Sequence, residues 1–436
     1  MTATYQRQFE AFSTNGGGAP AWLAARRRSA MERFASVGFP TARDEEWRFT
    51  PVGPIAQADF TPAPAAEITR EALAPFLFGH AEWPLLVFVN GRYVPGLSVL
   101  TGLPDGLAVG SLAAAIERDP SLERHLAAHA PVDQSAFTAL NTAFLRDGAF
   151  VHVPAGMQLE LPVHALFVTT EAARGGVAYP RNLFIVEREA RASIVENYVT
   201  LAPGASYFTN AVTEVVSGEN AWTEHTRLQR ESEDAFHVGL THVEQARDSH
   251  YRSFTLAMGA AISRHNLHVR LNAPNIETLM YGLYLTRGEQ LVDNHTAIYH
   301  DHPNCNSWEV YKGVLDGRSR AVFNGKVFVK PEAQKTDAKQ TNRNLILSDS
   351  ARVDTKPQLE IFADDVRCTH GATVGQLDEV SLFYARSRGI PLDSARRLLT
   401  YAFASEVVDE VVLEPVRQEL DRLVLERLGT LTAGQG

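Results

Sequence analysis

Residues 310–329 read VYKGVLDGRSRAVFNGKVFV, and the fold turns on this stretch. Two runs rich in β-branched and aromatic residues, 310–315 and 321–329, flank the turn dipeptide Asp316-Gly317. Short apolar runs bounded in this way form strands rather than helices. The same texture continues outward on both sides. Toward the N-terminus lie runs at 279–285, 267–271, 254–258, 211–216, 193–199, 183–186, 159–168 and 150–153; toward the C-terminus lie 345–347 and 358–362. Many begin about ten to fifteen residues after the one before, with Gly, Asn, Asp or Pro in between. A series of this kind admits a sandwich, a propeller or a β-solenoid. No blade signature recurs, which weighs against a propeller. Asn324-Gly325, Asn342 and Asn344 fall near expected strand ends and suit the turn ladders of a parallel β-helix.

The flanks differ in period. The spacing predicts a mostly helical region over 1–148, a β-rich core over 149–375 and a helical domain over 376–436. Leu23, Ala30, Phe34 and Val37 repeat at helical spacing, and Gly38 with Pro40 ends that helix. Residues 85–90 (LLVFVN) read as a buried strand with Asn90-Gly91 as its turn. Residues 111–116, 121–130 and 137–145 read as helical. Beyond Gly375, Leu377, Val380, Phe383 and Tyr384 form one apolar face, and Gly389 and Pro391 close that helix. Asp393 or Ser394 is the expected cap of the next helix, which carries Leu398, Leu399, Phe403 and Val407. The last helix carries Val416, Leu420, Leu423, Val424 and Leu428. These faces need the β-region or a partner to cover them.

Composition bounds the function. The chain has 436 residues, 45% hydrophobic and 21% charged, as a folded protein of several units would. A net charge of -10 lacks the field that draws in nucleic acid or an anionic membrane, so neither is an expected partner. The densest basic run, Arg26-Arg27-Arg28, lies within a helical pattern and reads as a solvated helix face. No apolar stretch approaches the roughly 20 residues a bilayer needs, and residues 1–10 are polar, so a cytoplasmic location is expected. Two cysteines, Cys305 and Cys368, exclude a disulfide framework. They also fall short of the four thiolates that a self-contained iron–sulfur site normally uses.

Two constellations carry metal-ligand chemistry. In the Cys368-Thr369-His370 segment, residues two apart share one face of an extended chain, so thiolate and imidazole can meet one metal or one cluster edge. Asp364 and Asp365 could accept the second imidazole N–H and set its tautomer. A buried thiol beside a core histidine fits the same spacing. The second constellation, His295, His300, His302 and Cys305, fits either a mononuclear metal site or ordinary turn residues around Asp301-His302-Pro303-Asn304. His265 and His268 form a weaker pair. The lysines at 326, 330, 335 and 339 suggest an anion site or alternating charge on exposed faces. There is no G-x-S-x-G elbow, and Gly313-Val-Leu-Asp-Gly317 is followed by Arg318 rather than the lysine of a nucleotide-binding loop.

The specific signal is residues 311–391. Its blocks AQKTDA (333–338), TKPQLEI (355–361), ADDVRCTHGATVG (363–375) and LFYARSRGI (382–390) resemble the shared core of the SufB/SufD family of iron–sulfur cluster assembly scaffolds. HGATVG at 370–375 and DEEWRFTP at 44–51 are similar to the SufD-type rather than the SufB-type pattern. The resemblance implies a right-handed parallel β-helix between two helical regions. It implies a SufB partner joined through the β-helices, with a homodimer as an option for the isolated chain. A SufC ATPase would grip the C-terminal helices, where Leu398, Leu399, Phe403 and Val407 are the candidate contacts. ATP and magnesium would then bind SufC only. It further implies a transient iron–sulfur cluster shared with SufB and none held tightly by this chain alone. His370 is the candidate ligand on this side, and Cys368 matches a second family position. The competing expectations are a β-helix enzyme acting on carbohydrate, a mononuclear metalloenzyme built on His300, His302 and Cys305, and a purely structural mate.

Overall fold

The computed structural model describes residues 2–15, 19–130, 132–133 and 135–431. The N-terminal part holds α1 (Thr2–Asn15), α2 (Ala21–Val37), α3 (Gly53–Gln57), β1 (Thr61–Pro62), β2 (Leu85–Val89), β3 (Arg92–Tyr93), β4 (Ala108–Ser111), α4 (Leu112–Arg118) and α5 (Ala136–Ala143). Then come β5 (Ala149–Val153), β6 (Val163–Thr169), β7 (Gly176–Ala178), β8 (Arg181–Val186), β9 (Arg191–Thr200), β10 (Phe208–Ser217), β11 (Trp222–Arg230), β12 (Phe236–Gln245) and β13 (His250–Ala257). The series continues with β14 (Ile262–Leu271), β15 (Glu277–Thr286), β16 (Leu291–His300), β17 (Asn306–Leu315), β18 (Arg320–Val329), β19 (Asp337–Ile346), β20 (Arg352–Ile361) and β21 (Arg367–Gly375). The helices α6 (Glu379–Ser387), α7 (Leu392–Val408) and α8 (Glu414–Leu431) close the chain.

Even-numbered strands from β8 to β20 pair in parallel in one sheet, and odd-numbered strands from β9 to β21 pair in parallel in the other. Each turn of chain therefore lays one strand on each sheet, which makes a parallel β-solenoid. Successive strands in a sheet lie in register, residue on residue, so the period-two alternation of every strand points at one common interior. Val215, Val243, Val269, Ile298 and Val327 stack from one sheet into that interior. Parallel strands cannot close on a two-residue turn, and the solenoid solves this by crossing to the opposite sheet at each corner. Left-handed residues make several corners, among them Asn220, Asp248, Asn275 and Asn304.

Where bulky side chains meet, glycine makes the room. Tyr311 of β17 lies beside Gly282 of β15, and Tyr284 of β15 lies beside Gly313 of β17. A Cβ at either glycine would overlap the neighbouring tyrosine ring.

The N-terminal segment covers the outer face of the even-numbered sheet. Trp47, Phe60 and Phe137 pack there on Phe208 and Val238, and the Arg264 guanidinium lies 3.8 Å from the Trp47 ring centre. It also closes the first end of the solenoid, since β4 pairs antiparallel with β5, and the antiparallel β2–β3 hairpin continues the other sheet beyond β6. Helices α7 and α8 cover the outer face of the odd-numbered sheet. Val407, Val416, Leu420 and Val424 bury against Leu228, Leu256, Leu283 and Val314.

Several local expectations are corrected. Residues 121–130 form no α-helix: a 3₁₀ turn over Pro120–Arg124 gives way to a loop with Ala127 at positive φ. The buried Glu214 carboxylate takes the backbone N–H groups of Ala127, His129 and Ala130, so those donors have a partner outside any helix. The strand expected over 159–168 begins only at Val163, after Pro162. The expectation for 345–347 caught only the end of β19, and β11, β12 and β16 carry too many polar residues for their apolar runs to show. Asn324, Gly325, Asn342 and Asn344 sit inside β18 and β19 rather than at turns. Neither Asp393 nor Ser394 caps α7, which starts one residue after Pro391.

Candidate functional site

The two ends of the solenoid are unlike. The last strands, β20 and β21, each have one parallel neighbour, β18 and β19, and no described strand pairs with their far edges. All of β21 is exposed except Cys368, which is half-buried. Apolar side chains reach solvent beside it, Phe362 at 58% and Val374 at 48% exposure. Natural sheets rarely leave such an edge bare, because unpaired N–H and C=O groups invite another strand.

Cys368 and His370 lie on this last strand, two residues apart and on one face. Cys368 packs on the interior cluster, so that shared face looks along the solenoid interior. Burial, and then the neighbouring Asp337 carboxylate, push the Cys368 thiol above its ordinary range. His370 is exposed at the mouth. Behind it the register runs His370, Gln340, Glu309, one per turn of chain. The Gln340 amide donates to Glu309 Oε2 at 2.8 Å, and burial pushes the Glu309 carboxyl up to about 7. Glu309 Oε1 and Gln340 Oε1 are buried without partners among the described residues. Sequence reading missed this column because its members are 30 and 31 residues apart, and only the rung length aligns them.

The aspartates expected to orient the imidazole do not reach it. Asp365 pairs with Lys335 and takes up Gln334 Oε1 through its backbone N–H, at 2.9 Å. Among the described residues no hydrogen bond joins Asp364 or Asp365 to His370; both aspartates are solvent-exposed. The lysines at 326, 330, 335 and 339 are each matched by a carboxylate, Glu360, Asp301, Asp365 and Asp337, so alternating charge accounts for them.

The second histidine cluster does not converge. His295 sits on the outer face of β16 between Asp293 and Glu46, at 3.0 and 3.2 Å. His300 points inward, bonded to Ser307 Oγ at 2.9 Å, and burial pushes it down to about 3. His302 lies in the turn beyond β16. Cys305 is buried, its thiol raised to about 11 and donating to the Ala273 carbonyl at 3.3 Å. His265 bonds Thr241, and His268 faces the His242 ring instead. Among the described residues no three His, Cys, Asp or Glu side chains are grouped to hold a metal ion.

The C-terminal helices present a different apolar surface from the one expected. Val407 is fully buried in the chain's own core, Leu399 is half-buried, and the Phe403 ring lies 4.5 Å from the Lys312 ammonium. Of those four residues only Leu398 is exposed, at 52%. Further exposed apolar side chains are on α6, where Val380, Phe383 and Tyr384 are 74%, 73% and 56% exposed.

Known proteins with this sequence pattern support one lineage. Residues 167–403 match the family model described as SUF system FeS cluster assembly, SufBD core domain, and residues 3–165 match the SufBD protein N-terminal region. An iron–sulfur cluster assembly SufBD family protein of Synechocystis is 37% identical over 411 residues, covering 92% of this chain and 90% of the relative. The iron–sulfur cluster assembly protein SufD of Escherichia coli is 32% identical, covering 93% and 92%. SufD of Bacillus subtilis is 30% identical, covering 92% and 93%. With both family regions matched along a solenoid that ends in the Cys368–His370 strand, this chain belongs to the SufBD family of iron–sulfur cluster assembly proteins.

Proposed function

We propose that this chain is a non-catalytic scaffold subunit of a SufBCD complex, on which iron–sulfur clusters are built at the contact with a SufB-type partner. The observation that carries the reading is the bare last rung. It offers a strand edge that a second solenoid could extend, and Cys368 and His370, which lie on it, would then sit at that junction. Two ligands from one chain are too few to hold a cluster, so the remainder would come from across the contact. Iron and sulfide are then cargo, assembled and released. Incomplete ligation on each side favours that release. A second copy of this chain could cover the same edge when SufB is absent.

The ATPase role falls to a SufC-type partner, which would bind ATP and magnesium. Exposed apolar side chains on the C-terminal helices, Val380, Phe383 and Tyr384 on α6 and Leu398 on α7, suit its docking. Movement of these helices against the odd-numbered sheet would let ATP hydrolysis strain the junction. The setting is cytoplasmic, and no described helix is long and apolar enough to cross a membrane.

The deciding experiment is complementation of a cell dependent on this system with His370→Ala and, separately, Cys368→Ala, with the complex checked by co-purification. Loss of cluster supply from His370→Ala with the complex intact supports a ligand at that position. Full supply from both variants would leave this chain a positioning subunit, with the chemistry on its partner.

A further inference from the structure

We infer that a cavity at the closed, N-terminal end of the solenoid binds a small phosphate ester of a flat aromatic group. The cavity, of about 290 Å³, lies between α1, the β2–β3 hairpin and the chain around Tyr179. Phe12, Phe144 and Tyr179 wall one side of it, and Phe144 and Tyr179 stack at 4.8 Å. Gln8, Arg92 and Arg146 supply polar groups. Sites for small organic ligands combine apolar walls with a few placed polar groups in this way.

The charge is one-sided. Arg146 and Arg27 both approach the Phe12 ring, at 5.4 and 5.1 Å from its centre. Arg92 is close enough to Arg146, and Arg146 to Arg27, that after burial their mutual repulsion is the next force lowering the proton affinity of Arg146 and Arg27. None of the three forms an ion pair among the described residues, although the chain is acidic overall. The carboxylate next in sequence, Asp147, partly offsets the charge of Arg146, but it forms no ion pair with it and is bound to Ser111 and the backbone N–H groups of Ala113 and Gly148.

Among the residues lining the cavity, Arg92 and Arg146 carry the positive charge, and Gln8 and Tyr179 bring an amide and a hydroxyl. All four side chains can donate and no carboxylate is in the lining, so the excess of donors suits an anion. Guanidinium groups match phosphate oxygens in geometry and charge, and the aromatic wall supplies a face for a ring. Arg27 belongs to the basic run that the sequence presents as a solvated face, yet it is half-buried against Phe12.

The test titrates the full chain calorimetrically with phenyl phosphate and adenosine 5′-monophosphate, against inorganic phosphate, benzoate and adenosine. Saturable binding of the two aromatic phosphates, at least about tenfold tighter than of the other three, is expected, with a loss of about tenfold or more in Arg92→Ala and in Arg146→Ala. Failure of every probe to bind, or equal binding by the variants, overturns the proposal. Benzoate binding as tightly as phenyl phosphate overturns the phosphate assignment. The unaltered protein gives an independent reading if a variant misfolds. Phenyl phosphate should protect Arg92 and Arg146 from phenylglyoxal, read by mass spectrometry, and absence of protection counts against the site.

Discussion

Single residues decide whether neighbouring turns of the solenoid can stack. Tyr284 and Tyr311 enter an interior already filled by aliphatic side chains, and each finds space over a glycine one strand away. The Tyr284 hydroxyl is then placed to donate to Asn344 and to accept from Asn342 at 3.0 Å. Gly313→Ala therefore costs more than the added methyl, because displacing the ring also breaks these buried hydrogen bonds. We expect destabilisation of about 3 kcal/mol, read by urea unfolding. Gly371, whose Cβ would meet nothing within 4 Å, is the control, and Gly371→Ala should leave the midpoint nearly unchanged. Equal midpoints for the two variants would count against the stacking account.

At the scale of elements, α8 is held less by its own propensity than by the sheet beneath it. Leu420 and Val416 are fully buried against the odd-numbered sheet, and Arg427 ties the last turns of the helix to the carbonyls of Met258 and Leu285, at 2.8 and 3.2 Å. Leu420→Ala should cost about 2–5 kcal/mol of local stability. The loss should appear as faster amide exchange in α7 and α8, with the strands of the even-numbered sheet unchanged. Uniform acceleration along the whole chain would mean that the helices and solenoid unfold as one unit. The contrast with α6 is informative. Three of its apolar residues, Val380, Phe383 and Tyr384, face solvent, and only Ala385 is buried. An amphipathic pattern states that a face will be covered and leaves open what covers it.

For the whole molecule, the buried ionisable groups set how stability depends on pH. His164, His268 and His300 are pushed by burial from 6.5 to about 3, so they stay neutral in the folded chain. A depressed folded value means that their contribution is present above pH 6.5 and is lost as pH falls from 6.5 toward 3. Glu309 acts in the opposite sense. Its folded value is raised from 4.5 to about 7, so its favourable contribution is present below pH 4.5 and is lost as pH rises through 7. Glu309→Gln keeps the shape and removes the titration. Its melting temperature relative to the unaltered chain should rise between pH 5 and pH 8, and a difference that stays flat across that range would contradict a buried neutral acid. Most of the parallel strands, the flanking helices and the extended segment that carries Cys368 and His370 were legible in the sequence, because period, turn residues and family blocks are local along the chain. The column of His370, Gln340 and Glu309 was not, since its spacing has meaning only once the length of each turn is known. Nor was the loop over 121–130, which owes its shape to Glu214, a carboxylate more than 80 residues away. Only the tertiary structure decided that Val407 is buried while Val380 is bare, and that one end of the solenoid is closed by antiparallel strands while the other is open. Pattern determines which face of an element is apolar. Which faces meet, and which are left over, depends on how the elements pack together.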